Sequence, residues 1–236
     1  MKKGTLYLIP TTLGGNNIQD IFPPLIKKVI EQTDDYIVEN EKSARKFIKL
    51  IAPEKKQSEL HIEQLDKHDK QKGISDFIKP LINGKNMGLL SEAGLPAIAD
   101  PGSLVVKEAH KNGITVKPLV GPSSLLLALM ASGLNGQEFA FHGYLPKESG
   151  ELKRKLRLLE NESAKHNRTQ LFIETPYRNP KLFETLLKSL KPDTFLSIGI
   201  DLSLPTEEIH TLTIREWKKK KIDLHKRPAV FIFQAS

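Results

Sequence analysis

Short apolar runs alternate along this chain with longer stretches in which apolar residues recur every third or fourth position. That is the pattern of strands alternating with helices in an α/β protein. The segment 5–10 (TLYLIP) predicts a first strand, 20–32 a helix, 35–39 (DYIVE) a second strand and 41–50 a helix. The charged run 58–72 offers little core, although LHIEQL at 60–65 suits a short strand. One helix is predicted over 73–83, with Ile74, Phe77, Ile78, Leu81 and Ile82 on its face and Gly84 at its end. Strand 87–91 (MGLLS), helix 103–112 and strand 114–122 follow. The same reading then gives helix 123–132, strand 139–145, a very basic helix 152–166, strand 169–175, helix 180–190, strand 195–203 and closing strands at 210–214 and 228–233. Helix 123–132 is apolar nearly all round, which predicts a place between layers.

The chain has 236 residues, which is long for one domain, and a split near Pro118 gives two of suitable size, 1–117 and 118–236. Each is large enough to bury a core of its own. No apolar run approaches the roughly 20 residues of a membrane span. The amino end, MKKGTLYLIP, is basic, but its apolar run is too short for a signal peptide. The absence of cysteine excludes a disulfide framework, a thiolate zinc site and a thiol nucleophile. A soluble, cytoplasmic protein is the expectation. The formal charge of +8 favours an anionic partner such as nucleic acid. The histidines, His61, His68, His110, His142, His166, His210 and His225, show no ligand-like pairing, so no metal site is expected.

Parallel α/β sheets bind ligands at the carboxyl ends of their strands, and several strand ends here carry unusual residues. The first ends in IPTTLGG, where Pro10 closes the strand and Gly14 and Gly15 allow close backbone approach. The strand MGLLS runs into SEAGLPAIADPG, whose Ala93 and Gly94 leave room for a ligand against the backbone. Pro96 and Pro101 stiffen that loop and reduce the ordering cost of binding. A third strand ends in VGPSS, where Ser123 or Ser124 suits the cap of the next helix as well as a ligand contact.

GTLYLIPTTLGG, LLSEAGLPAIADPG, VKPLVGPSSLLLALMASGL, FAFHGYLPK and LFIETPYR, in this order and spacing, resemble the tetrapyrrole-methylase-fold family. Within it the chain is similar to the branch of small-subunit ribosomal RNA cytidine 2′-O-methyltransferases. The resemblance implies two α/β/α domains, a ligand cleft between them, a homodimer, and S-adenosylmethionine (SAM) as cofactor. It also implies ribosomal RNA or the small ribosomal subunit as partner. By the same resemblance, cofactor contacts fall at Pro10, at Ser91, Glu92, Ala93, Gly94, Pro96 and Ala97, at Ser123 and Ser124, at Ile173 and Thr175, and at Pro228 and Ala229.

The chain departs from the branch at two places. After the second strand, where the branch has an acidic pair, threonine and arginine, it has Glu39, Asn40, Glu41 and Lys42. Late in the second domain, where the branch has arginine, glutamate and lysine, it reads Ile200, Asp201, Leu202, Ser203 and Leu204. Two other readings therefore stay open: a tetrapyrrole-precursor methyltransferase, and a non-catalytic member that binds SAM or RNA. The first usually has a Gly-Pro-Gly-Asp turn after the first strand, which LGGNNIQD lacks.

Methyl transfer to a ribose hydroxyl calls for alignment, exclusion of water and a base. Glu39 and Glu174, each at a strand end, are the candidate carboxylates, and Lys42 and Arg178 are nearby cations suited to a phosphate or an alkoxide. Glu174 and Arg178, four apart across a helix start, equally suit a plain ion pair. The basic runs KRKLR (153–157) and WKKKK (217–221) suit either a solvated face or phosphate contacts.

Overall fold

A computed structural model describes residues 2–15, 18, 20–65 and 73–235. The charged run beyond 65, from 66 to 72 and including His68, and positions 16, 17 and 19 of LGGNNIQD lie outside the described residues. The chain divides into two units, Met1–Ser123 and Ser124–Ser236.

Among the described residues the first unit holds five strands, β1 (Thr5–Leu8), β2 (Asp35–Val38), β3 (His61–Gln64), β4 (Met87–Leu90) and β5 (Thr115–Pro118), in the order β3-β2-β4-β1-β5. All the pairings are parallel. Its helices are α1 (Pro24–Glu31), α2 (Glu41–Ile51), α3 (Ile74–Phe77), α4 (Lys79–Ile82) and α5 (Gly102–Lys111). Successive strand residues face opposite ways, so apolar runs without alternation bury both faces of the sheet. Tyr36 and Val38 pack with Ile26 and Ile30 of α1 and Phe47 and Ile48 of α2. Ile37, Met87 and Leu89 pack on the other side with Ile78, Leu81, Val105 and Ala109. Gly88 makes room for this arrangement, since a Cβ there would stand 2.7 Å from Tyr36 Cδ1. Burial pushes the Tyr36 hydroxyl above its ordinary range, with the charge of Asp34 adding to it.

Several boundaries differ from the sequence expectation. The helix expected over 20–32 begins at Pro24, because a proline at the first helical position needs no N–H partner. The helix expected over 73–83 is two short helices that meet at Ile78, where Pro80 cannot donate to the helical ladder. Strands β1, β2 and β4 stop at Leu8, Val38 and Leu90, which leaves Pro10, Glu39 and Ser91 in loops at the carboxyl edge. Leu119 N–H still donates to Leu8 O at 3.0 Å, so the chain just past Pro118 remains tied to the first sheet.

The second unit carries β6 (Phe139–Tyr144), β7 (Thr169–Ile173), β8 (Phe195–Ile200), β9 (Glu208–Thr213) and β10 (Ala229–Gln234), in the order β6-β7-β10-β8-β9. Only β6 and β7 run parallel; β10 is antiparallel to β7 and β8, and β9 to β8. Helices α6 (Ser124–Ser132), α7 (Ser149–His166), α8 (Asn179–Ser189) and α9 (Ile214–Trp217) complete it. Phe172 and Phe231 stack at 5.9 Å in a core shared with Leu156, Leu186 and Trp217. The indole N–H of Trp217 donates to Leu196 O at 2.8 Å.

Helix α7 begins at Ser149 instead of 152, because the Glu148 carboxylate accepts the N–H groups of Gly150 and Glu151 at 2.8 and 2.6 Å. Helix α9 was not legible in the pattern; it rests on a capping box between Thr213 and Glu216. Helix α6 corrects another expectation. It packs on β8, β9 and β10 and buries Ala128, Leu129 and Ser132, but Leu126 and Met130 are 52% and 77% exposed. Among the described residues, no helix is long and apolar enough to cross a membrane.

Candidate functional site

In the first unit the loops after β1, β2, β4 and β5 meet at the carboxyl edge of the sheet. Thr11 N–H donates to Gly94 O at 2.9 Å, and Thr11 Oγ1 donates to Ser91 O at 3.4 Å. Gly94 has φ +70, and a Cβ there would lie 3.1 Å from Leu13 Cδ2 and 3.4 Å from Pro122 O. Gly121 is tighter still, with an added Cβ only 2.2 Å from Pro10 Cγ. Glycine is required at both positions, because Gly94 adopts a left-handed φ against Leu13 and the Pro122 carbonyl, and Gly121 lies against the rigid ring of Pro10.

The sequence candidates in this region take distinct places. Pro10, Ser91, Gly94 and Pro96 are buried, Ala97 is half-buried, and Glu92 and Ala93 are exposed. Ser91 Oγ turns inward and donates to Ala93 O at 3.2 Å. Glu39 is half-buried, and its Oε2 accepts the N–H of Glu92 at 2.8 Å, which ties the end of β2 to the loop after β4. Lys42 is exposed in the first turn of α2. Asn40, where the related branch is acidic, caps that helix by accepting Ser43 N–H at 3.0 Å. Ser123 and Ser124 are half-buried where the first unit gives way to α6.

In the second unit Ile173 ends β7 opposite Val230, beside Pro228 and Ala229 at the start of β10. Pro228 and Thr175 are exposed, and Ala229 is buried. Glu174 is buried with both carboxylate oxygens engaged. Oε1 accepts Thr175 N–H at 2.7 Å, and Oε2 stands 3.0 Å from Arg178 Nη2. Leu145, Lys147, Ser149, Arg178, Lys181 and Thr185 line a pocket with Glu174. Lys147 and Lys181 have no ion-pair partner among the described residues, which leaves the pocket net cationic. The basic side chains Lys153, Arg154 and Arg157 are exposed on the helix that starts beside it.

Two residues that the sequence reading passed over organise these loops. Asp100 Oδ1 accepts the N–H groups of Ala97 and Gly102 at 3.0 and 2.7 Å. The signal for it was Asp-Pro-Gly, a turn sequence in which aspartate bonds backbone two residues on. Arg227 holds Asp201 Oδ2 at 2.8 Å, Glu208 Oε1 at 2.6 Å and Thr206 O at 2.7 Å. Its guanidinium keeps Glu208 below the usual carboxylate range. Asp201 and Ser203 take φ of 49 and 66, so the segment that departs from the related branch bends through the left-handed region, with Asp201 held by Arg227 and Ser203 N–H by Glu207 Oε2 at 2.7 Å. Among the described residues, no group of three or more side chains is arranged to hold a metal ion.

The chain is similar to a ribosomal RNA small subunit methyltransferase I of Streptococcus pyogenes, 35% identical over 175 residues that make up 74% of this chain and 57% of the relative. The protein of the same name from Bacillus subtilis is 33% identical over 215 residues, which cover 90% of this chain and 68% of the relative. The chain thus spans little more than half, 57%, of the length of the streptococcal relative. In fold it resembles uroporphyrin-III C-methyl transferase from Thermus thermophilus, solved in complex with S-adenyl homocysteine, at a TM-score of 0.57 and 18% identity over 98% of this chain and 97% of that one. The family model of tetrapyrrole (corrin/porphyrin) methylases matches residues 20–218, from the loop before α1 to the turn after α9. That match takes in most of both sheets and the loops after β2, β4, β5 and β7, and the chain belongs to the tetrapyrrole methylases.

Proposed function

We propose that this protein transfers a methyl group from SAM to small-subunit ribosomal RNA, at a ribose 2′-oxygen, as a cytoplasmic homodimer. The observation that carries the reading is the meeting of the β1, β4 and β5 loops around Thr11, Gly94 and Gly121 at the carboxyl edge of a parallel sheet. The relatives from S. pyogenes and B. subtilis are ribosomal RNA small subunit methyltransferases by name, which supports the RNA substrate, and the S-adenyl homocysteine in the Thermus neighbour supports the cofactor.

The residues present fit SAM. The rim of the loop is built from Ala93, Ala97 and Ala99, small enough for a ligand to lie against the backbone, with Glu92 exposed beside them. SAM supplies an activated methyl on its sulfonium. The chain has to hold it, orient the ribose hydroxyl and accept that hydroxyl's proton. Glu39 suits the base, since only Oε2 is occupied by Glu92 N–H and Oε1 takes no hydrogen bond among the described residues. Glu174 suits a fixed counter-charge that orients Arg178 toward the pocket. Lys42, Lys147, Arg178 and Lys181 suit backbone phosphates, which would set affinity more than sequence choice. Leu126 and Met130, one turn apart on α6, form the apolar face we assign to the dimer.

The test is transfer of labelled methyl from SAM, with unmodified small ribosomal subunits, free ribosomal RNA, transfer RNA and a tetrapyrrole precursor offered in parallel. The expected result is label on a ribose of the small subunit. Label on the tetrapyrrole, or SAM binding with no label on any acceptor, overturns the assignment.

A further inference from the structure

The loop between β4 and α5 holds a conformation that its own residues resist. Ala97 and Ala99 have φ of 67 and 63, the left-handed region that a residue with a Cβ seldom enters, and neither is glycine. Asp100 stands next to both. Its Oδ1 takes two amides from opposite sides, Ala97 N–H at 3.0 Å and Gly102 N–H at 2.7 Å. The fit leaves no slack, since a Cβ on Gly102 would come within 2.8 Å of the same oxygen and 3.4 Å of Ala97 N. The other oxygen, Oδ2, is buried without a hydrogen-bond partner. Burial raises the carboxyl to about 6 against the pull of the Gly102 amide, with Glu39 adding to the rise and the Ala97 and Ile98 amides opposing it. An ionised carboxylate in such a place costs stability at neutral pH. Its presence is therefore better explained by the loop shape it enforces than by the stability of the fold.

We propose that Asp100 is a positioning residue for the cofactor loop, holding Ala97 and Ala99 in left-handed geometry so that the backbone from Ser91 to Gly102 is shaped before the ligand arrives. The proposal rests on the reading that this loop contacts SAM. Ligand affinity gains when the ordering cost is met in the free protein, and the clamp meets it through two hydrogen bonds to one oxygen.

The experiment measures SAM binding to the full chain by calorimetry and amide exchange over 91–102, for wild type, Asp100→Ala, Asp100→Asn, and Asp100→Ala combined with Ala97→Gly and Ala99→Gly. Asp100→Ala weakens SAM binding by about tenfold, equivalent to about 1.4 kcal/mol. It also speeds exchange within the loop and leaves exchange in the second unit unchanged. Asp100→Asn, which keeps an acceptor oxygen, restores most of the affinity. The two glycines also restore affinity in the Asp100→Ala background, because glycine enters the left-handed region without the Cβ penalty. A merely structural role gives no such rescue. Wild-type affinity in Asp100→Ala, or a loss that neither the amide nor the glycines repair, overturns the proposal. If the wild-type chain fails to bind SAM, the cofactor reading falls. Loop exchange then decides the clamp alone: unchanged exchange in Asp100→Ala refutes it, and faster exchange repaired in Asp100→Asn upholds it.

Discussion

Glu39 and Glu92 lie far apart in sequence, yet the carboxylate of the first accepts the backbone N–H of the second at 2.8 Å. The contact fastens the end of β2 to the first loop residue after β4 that is exposed. On the proposed function it gives Glu39 two separable roles, an anchor through Oε2 and a base through Oε1. Glu39→Gln keeps an acceptor for Glu92 and removes the base, so methyl transfer falls by about 100-fold or more while SAM affinity holds. Glu39→Ala loses both. Single-turnover transfer measured beside calorimetric SAM binding separates the two, and a fully active Glu39→Gln removes Glu39 from the chemistry.

The contact between Gly121 and Pro10 predicts a cost in stability. Gly121→Ala would put its Cβ 2.2 Å from Pro10 Cγ, on a rigid ring that cannot swing aside. The substitution should destabilise the protein by about 1–3 kcal/mol, read as a lower urea midpoint. Gly136→Ala, where an added Cβ meets nothing within 4 Å, is the control and should stay near wild type.

The pH dependence of stability follows from Asp100. Its carboxyl is raised from 3.8 to about 6, foremost by burial, so folding favours the protonated form. A raised folded value means that the stability tied to this group is present below 3.8 and is lost as pH rises through about 6. Urea unfolding at pH 4 and pH 7 should therefore show Asp100→Asn gaining on wild type between the two. A difference that is the same at both values contradicts the assignment.

Arg227 makes a prediction about side-chain geometry. Its fork reaches Asp201, Glu208 and the carbonyl of Thr206 together, and Asp201 is buried. Arg227→Ala should lower the melting temperature by about 4–8 °C, from roughly 2 kcal/mol of lost charge-assisted bonding. Arg227→Lys should recover little of it, because a lysine ammonium does not reproduce the planar fork. Full recovery by lysine shows that charge alone sufficed.

The exposed pair on α6 gives the test of assembly. Met130→Glu places a charge on a 77% exposed position and should change monomer stability by no more than about 0.5 kcal/mol. Sedimentation should find the wild type as a dimer and the variant as a monomer. A monomeric wild type, or a variant that remains dimeric, excludes this face as the interface.

Much of the architecture was legible in the chain itself. The apolar runs at Tyr36–Val38 and Met87–Leu90 bury both faces of a strand, and they read as buried strands because side chains alternate along a strand whatever surrounds it. Local chemistry also marked the glycines of the strand-end loops, whereas the helix expected over 73–83 ran through Pro80, near which the structure breaks it. What the sequence could not contain were the meetings. Glu39 with Glu92, Gly121 with Pro10, and Arg227 with Asp201 and Glu208 join residues that only the stacking of strands brings together. Helix α6 shows the same limit from the other side. Its composition called for burial all round, but which of its apolar faces meets a sheet is set by the strands beneath it, and Leu126 and Met130 are left facing out. Sequence period determines which elements form; the distances that make a site come from packing, because they depend on atoms the local chain does not carry.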